Sequence, residues 1–273
     1  MTHGDPLPPE FADRLTARCG GLFPLGERLF YYRSIDSTNN VALEAAAAGL
    51  TGAIVIADAQ TAGRGRYGRT WFSPVGSGLY VSIVMAMSAA RVDAGWATSL
   101  LTLGAGVALA EAIEAVAALP VTIKWPNDLL VSGRKVAGIL AERAAEGGVP
   151  REASHVVLGY GINVAPSAFP ADLRARATSI ETEAGRPVDR AVLCAESLAA
   201  IARRHQDLLA GRFDAILDAW RARAPRHENA PVAWQAPQGV QRGVTTGIDE
   251  SGALLVRVED RIERLVGGEI TWL

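Results

Sequence analysis

The chain has 273 residues, 49% of them hydrophobic, with 27 basic against 29 acidic side chains and a net charge of −2. That length suits a large core plus a small second unit, the composition excludes a disordered chain, and the whole-chain positive charge on which nucleic-acid binding rests is missing. Cys19 and Cys194 stand far apart without a CxxC partner, which predicts a reducing, cytoplasmic setting, and the scattered His3, His155, His205 and His227 lack zinc-ligand spacing.

Residues 1–28 read as an N-terminal extension, Pro-rich and then weakly amphipathic, with a break at Gly20-Gly21; they lack the basic and apolar regions of a signal peptide. Leu29 to Ser34 has strand character. Asp36-Ser-Thr-Asn-Asn40 forms a polar cluster ahead of an Ala-rich helix from Val41 to Ala48, where one residue can cap the helix while its neighbours face a ligand.

A strand over Ala53–Ala57 leads into Gln60-Thr-Ala-Gly-Arg-Gly-Arg-Tyr-Gly-Arg-Thr-Trp71, around which the chain is organised. Glycine lets backbone N–H groups close on an anion and keeps a loop mobile; arginine offers a planar fork of donors for carboxylate and phosphate. The letters also match G-x-G-x-x-G, but a dinucleotide fingerprint requires a helix opening from its last glycine. Pro74, Gly76 and Gly78 forbid that helix. The expectation is a loop that closes over a negatively charged ligand.

Leu79 to Ala86 alternates like a strand. Ala94 to Ala110 carries no charge and approaches the length of a membrane span, yet it is rich in Ala, Gly and Thr and is followed by Glu111 and Glu114. A buried helix over about residues 95–118 is expected, and no membrane association. Val121–Val131 and Lys135–Glu142 flank Ser132-Gly-Arg as a hairpin, and His155–Leu158 runs into Gly159-Tyr-Gly-Ile-Asn163. Helical periodicity returns over 190–209 and 213–223. Beyond Pro225 the pattern changes to short strands at Val232–Trp234, Gly239–Gly247, Ala253–Val258, Ile262–Val266 and Glu269–Trp272. The reading is an α+β chain: a catalytic domain over 29–224 with a mixed sheet packed with helices, then a small β-barrel over 225–273.

Several motifs together resemble the biotin–protein ligases, which attach biotin to a carrier-domain lysine of biotin-dependent carboxylases. They are Asp36-Ser-Thr-Asn39, the Gln60–Arg69 stretch, Lys124-Trp-Pro-Asn-Asp128, Gly133-Arg-Lys-Val-Ala-Gly-Ile-Leu-Ala-Glu142, Gly159-Tyr-Gly-Ile-Asn-Val164, Ala177-Thr-Ser179, Gly247-Ile-Asp249 and Gly267-Gly-Glu-Ile270. In order, they cover roughly residues 30–272. The resemblance implies an SH3-like C-terminal barrel, biotin and ATP as substrates, Mg²⁺, and a biotin carboxyl carrier domain as partner. It places Ser37, Thr38, Asn39, Gln60, Arg64, Gly65, Arg66 and Lys135 on biotin, with Gly138 and Ile139 as part of an apolar wall. Arg66, Arg69, Trp71, Lys124, Asn127 and Asn163 would surround ATP, Trp71 stacking on adenine. Some members carry an N-terminal DNA-binding domain; the residues before Asp36 lack two helices with a turn, so the form without that domain and without nucleic-acid binding is expected. A homodimer is compatible with the sequence.

The residue chemistry agrees with that resemblance. Joining a carboxylate to an amine requires activation, and an acyl-adenylate made from ATP supplies it. The carboxylate is already the nucleophile, so the first step rests on positioning and on cations at the α-phosphate. Lys135, Arg64 and Arg66 are the catalytic candidates of the right type, and Asp128 holds Mg²⁺, orients the incoming lysine, or is a structural residue of the hairpin. A lipoate-type carrier-protein ligase and a non-catalytic biotin or nucleotide sensor are the competing readings. The polar Ser-Thr-Asn and Gln60 cluster suits a ureido ring better than a lipoyl tunnel. The sequence contains only two lysines, Lys124 and Lys135, both within one hairpin of the expected site.

Overall fold

A computed structural model describes residues 4–18, 25–87, 92–144, 155–167 and 169–273. His3, Cys19 and the Gly20-Gly21 break lie outside the described residues. Helix α1 (Pro9–Ala17) is followed by β1 (Leu29–Tyr32), α2 (Thr38–Ala47), β2 (Ile54–Ala57), β3 (Gly78–Ala86) and α3 (Ala94–Ala117). Next come β4 (Thr122–Lys124), β5 (Asp128–Val131), β6 (Arg134–Arg143), β7 (His155–Asn163), α4 (Ile180–Ala184), α5 (Arg190–Leu209) and α6 (Phe213–Arg221). The chain ends with β8 (Glu228–Ala236), β9 (Gly239–Ile248), β10 (Leu254–Val258), β11 (Arg261–Leu265) and β12 (Ile270–Trp272).

The first seven strands make one mixed sheet in the order β1-β2-β3-β7-β6-β5-β4, in which β1 and β2 run parallel and the other pairs antiparallel. Helix α2 covers one face through Val41, Ala42, Ala45 and Ala46 against Val55, Val84 and Val157. Helices α3 and α5 cover the other, and β3 and β7 are buried on both faces. The uncharged stretch is therefore a core helix: Leu100, Leu103, Val107, Leu109 and Ile113 are fully enclosed. Asp93 caps its start by accepting from the amides of Gly95 and Trp96, and Ala118 in the left-handed region stops it. Phe11 and Leu15 of α1 are buried in this same core, so the N-terminal segment packs onto the domain.

Two local expectations change. Helix α2 begins at Thr38, three residues ahead of Val41, because the polar side chains of its first turn find partners inside the protein. The run Val121–Val131 is two strands, folded back on themselves at Trp125-Pro126-Asn127 so that Lys124 pairs with Asp128. Proline within a strand run removes a ladder donor and marks such a break. The hairpin at Ser132-Gly133 forms as expected, both residues having positive φ, as a two-residue turn of type I′ requires.

The last five strands form an antiparallel sheet in the order β11-β10-β9-β8-β12. Pro231 lies where the β8–β9 register shifts, so β8 reaches further upstream than Val232–Trp234. One turn of this unit, 249–253, is held by the larger one. Asp249 accepts from the amides of Ser251 and Ala253, and two tryptophans of the large unit donate into the turn: Trp96 Nε1 to Glu250 O at 2.9 Å and Trp125 Nε1 to Gly252 O at 3.0 Å.

Candidate active site

The face of the large sheet beside α2 is paved with glycine. Gly159 and Gly161 of β7 alternate onto it, and Gly138 of β6 lies opposite Gly161. A Cβ at Gly161 would stand 2.5 Å from Trp71 Cε2, and one at Gly138 would stand 3.0 Å from Trp71 Cζ3 and 3.1 Å from Lys135 Nζ. A Cβ at Gly159 would overlap Asn39 Oδ1. The missing side chains let an indole and an amide lie directly on the sheet.

Strand alternation also decides the apolar wall. Ile139 follows Gly138 and so turns to the opposite face, where it packs against α3 near Gly106. The expected wall from Ile139 is therefore not on the paved face; Leu140, half-buried, is the β6 aliphatic side chain there.

At the β3 side lies a polar cluster. Thr38 N donates to Gln60 Oε1 at 2.9 Å, with Thr38 Oγ1 3.2 Å from the same oxygen. Gln60 Nε2 donates to Ser73 Oγ at 2.8 Å, and Ser73 Oγ to Trp71 O at 3.1 Å. Ser37 occupies the N-cap position of α2 and is buried without a side-chain capping bond. Asn39 donates to Glu142 Oε2 at 2.7 Å and accepts from Ser82 Oγ at 2.5 Å.

The Gly/Arg stretch is a narrow loop. Trp71 N donates to Gly63 O and Gly65 N to Arg69 O, and the tip turns over Arg66–Gly68 with Tyr67 and Gly68 at positive φ. No α-helix follows it, as the glycines and Pro74 required. Arg64 reaches Asn40 Oδ1 at 3.0 Å and Glu142 Oε1 at 2.5 Å. Arg66 donates to Asn127 Oδ1 at 2.9 Å and Gly268 O at 3.3 Å, and Arg69 pairs with Glu269 through both terminal guanidinium nitrogens, Nη1 and Nη2. The turn 267–269 of the C-terminal sheet thus grips the loop tip.

At the β6 side, Lys135 Nζ lies 2.6 Å from Asp128 Oδ1 and 5.3 Å from the Trp71 ring centre. Burial pulls the Lys124 ammonium below the ordinary lysine range, opposed by the charges of Asp128 and Glu269. The hydrogen bond from Arg69 holds the Glu269 carboxyl below its usual range, helped by Lys124 and Lys135. Lys124, Lys135 and Arg69 thus share two carboxylates, which leaves positive charge for an anionic ligand. Asn163 is buried at the end of β7 and donates to Thr178 O at 3.1 Å, tying the 176–178 segment to β7, while Ala177 bridges to Lys135 of β6.

The structure therefore brings Ser37, Thr38, Asn39, Gln60, Trp71, Lys135 and Gly138 to one face, flanked by Arg64 and Gly65; Arg66, Arg69, Lys124, Asn127 and Asp128 gather toward the C-terminal unit. Glu142, Ser82, Ser73, Asn40 and Glu269 complete the network and were not singled out from the sequence. A serine inside a strand buried on both faces was the available signal for Ser82, since a buried hydroxyl demands a partner.

Residues 31–163 match the model of the biotin/lipoate A/B protein ligase family, and residues 229–271 that of the biotin protein ligase C-terminal domain. The chain is 37% identical over 229 residues to a biotin–[acetyl-CoA-carboxylase] ligase of Paracoccus denitrificans, covering 81% of this chain and 91% of the relative. It is 34% identical to the bifunctional ligase/repressor BirA of Bacillus subtilis over 90% of this chain and 74% of that protein. Among solved structures it is similar to the biotin protein ligase of Aquifex aeolicus in complex with biotin and ATP, with a TM-score of 0.75 and 26% identity over 91% of this chain and 99% of the other. The Leishmania major ligase in complex with biotinyl-5-AMP matches with a TM-score of 0.57 and 26% identity, covering 88% and 99%.

Proposed function

We infer the reaction from the premise that this chain belongs to the biotin protein ligase family: it activates biotin with ATP as biotinyl-5′-AMP and transfers the biotinyl group to a lysine of a biotin carboxyl carrier protein. In the first step a biotin carboxylate oxygen attacks the α-phosphorus, and the bond to the pyrophosphate oxygen breaks. In the second the acceptor ε-amine attacks the acyl carbon, releasing AMP and a proton. The observation that supports the site assignment is the glycine-paved face, with a polar cluster at one side and a lysine–aspartate pair at the other.

The residue roles are proposals. Thr38 and Gln60 suit the polar ureido edge, and the glycine pavement with Leu140 admits the flat apolar body. Lys135 stands where a carboxylate and a phosphate converge, and Asp128 holds its ammonium in place. Arg66, Arg69 and Lys124 offset charge on the phosphates. Among the described residues no group of three His, Cys, Asp or Glu side chains forms a metal cage. Magnesium normally keeps several waters and binds through substrate phosphates, so it enters here with ATP as part of the substrate, and Asp128 serves Lys135.

Domain limits at 28/29 and 224/225, a cytoplasmic location and the absence of nucleic-acid binding are further proposals, the last resting on the net charge of −2. The decisive experiment incubates the protein with ATP and biotin, or ATP and lipoate, and follows pyrophosphate release and labelling of a carrier domain. Biotin-dependent release and labelling are expected. Activity with lipoate alone, or tight biotin binding without turnover, would overturn the reading.

A further inference from the structure

Glu142 sits near the end of β6 and uses its two carboxylate oxygens on two different elements. Oε1 accepts from Arg64 Nη2 at 2.5 Å, at the start of the Gly/Arg loop, and Oε2 accepts from Asn39 Nδ2 at 2.7 Å, in the first turn of α2. Arg64 is anchored a second time by Asn40 Oδ1 of α2. One side chain thus ties sheet, helix and loop together beside the polar cluster.

An exposed ion pair is worth little by itself, and Arg64 is partly exposed. The Asn39 arm is different. Asn39 is buried, its Oδ1 lies against Gly159, and its amide has no room to seek water. Removing the carboxylate leaves a buried donor unpaired, the costly way to lose a hydrogen bond.

The carboxylate also fixes the direction of the bonds behind it. It only accepts, so Asn39 must turn Nδ2 to it and present Oδ1 to Ser82. Ser82 Oγ lies 2.5 Å from that oxygen and 2.8 Å from Thr38 Oγ1. Its single proton serves the carbonyl oxygen, which has none of its own. The 2.8 Å contact is then made by the Thr38 hydroxyl donating to Ser82 Oγ, with Gln60 Oε1 at 3.2 Å as its other acceptor, so Thr38 keeps a lone pair for a ligand N–H, as a ureido ring provides.

We propose that Glu142 is a positioning residue for biotin, setting Arg64 in place and the hydrogen-bond direction of the Asn39–Ser82–Thr38 cluster without touching the substrate. The inference rests on the site as read above. It confines the effect of Glu142 to the biotin end, because Lys135, Asp128 and Arg69 do not contact it.

The test is steady-state adenylation by wild type, Glu142→Ala, Glu142→Gln, Arg64→Ala and the Arg64→Ala/Glu142→Ala double variant. Glutamine keeps the shape and can donate, which lets Asn39 reverse. Both Glu142 variants should raise the biotin KM about tenfold while kcat and the ATP KM stay within about twofold, and the double variant should lose less than the two single losses combined. A biotin KM within about twofold of wild type in folded Glu142→Gln overturns the proposal. So do losses that add in the double variant, or KM for biotin and ATP rising together with a fall in kcat. Wild type that releases no pyrophosphate with biotin overturns the site reading first, which separates the two failures.

Discussion

Replacing Lys135 by arginine keeps the charge and tests the shape. Nζ is 2.6 Å from Asp128 Oδ1, and the space between it, the Trp71 ring and Gly138 is so small that even a Cβ on Gly138 would come within 3.1 Å of Nζ and 3.0 Å of the indole. An ammonium is a compact charge whose three protons rotate to meet a carboxylate and a phosphate on one atom; a guanidinium is longer, planar and fixed in direction. To keep Asp128, an arginine here must push the indole from its glycine floor or leave the converging position. The Coulombic attraction to Asp128 survives, so stability should change by less than about 1 kcal/mol. Loss of one preorganised contact to developing charge costs about 10²–10³ in rate, or roughly 3–4 kcal/mol of barrier. The assay is pyrophosphate release with biotin and ATP saturating, beside thermal unfolding of both proteins. Activity of Lys135→Arg within about threefold of wild type would show that positive charge alone suffices there.

Gly161→Ala drives a methyl group into Trp71 and should cost about 1–3 kcal/mol with a shift in tryptophan fluorescence, whereas Gly68→Ala, at positive φ with nothing near, should cost only about 1 kcal/mol; thermal unfolding compares them. Glu269→Gln should speed proteolytic cleavage within residues 60–72 while changing global stability by less than about 1 kcal/mol, because the Arg69 pair is half exposed. Arg69 holds the folded-state Glu269 value low, so this stabilisation is fully present above the unfolded carboxyl value near ~4.3 and fades as pH falls through the folded value. Wild type should therefore gain cleavage sensitivity on acidification through that window and Glu269→Gln should not; parallel pH curves would refute the link. Gly252→Ala places a Cβ 2.6 Å from Leu103 Cδ1 at a φ of +80°, in the turn that receives Trp96 and Trp125, and should lower Tm by several degrees through a loss of about 2 kcal/mol or more.

Local pattern sufficed wherever the deciding forces were local. The uncharged run over 94–110 had to be buried somewhere, and the sheet with α5 is where it went. Proline and glycine after Trp71 excluded a helix, and none formed. The Ser132-Gly133 turn followed from its residue types. The start of α2 was hidden because Thr38 and Asn39 look like solvated loop residues until their partners are known: Gln60, Ser82 and Glu142, the last 103 positions away. Glu142 itself reads as an ordinary strand-end glutamate. The fold-back at Trp125-Pro126-Asn127 was visible in principle, since a proline rarely sits inside a paired strand.

The three glycines of the paved face bring these distances together. A glycine inside a strand weakens it by roughly 0.5–1 kcal/mol relative to alanine, and β7, which carries two, lies at the centre of the seven-stranded order. Nothing local favours them there; what they admit does. Gly138 and Gly161 seat Trp71, which bounds the space beside Lys135. Gly159 seats Asn39, which the Glu142 carboxylate then orients. Alanine at any one would leave the ladder intact and disturb a different partner: the indole from Gly161, the α2 amide from Gly159, and the lysine–indole contact from Gly138. The floor thus fixes Trp71, Asn39 and Lys135 relative to one another across two strands.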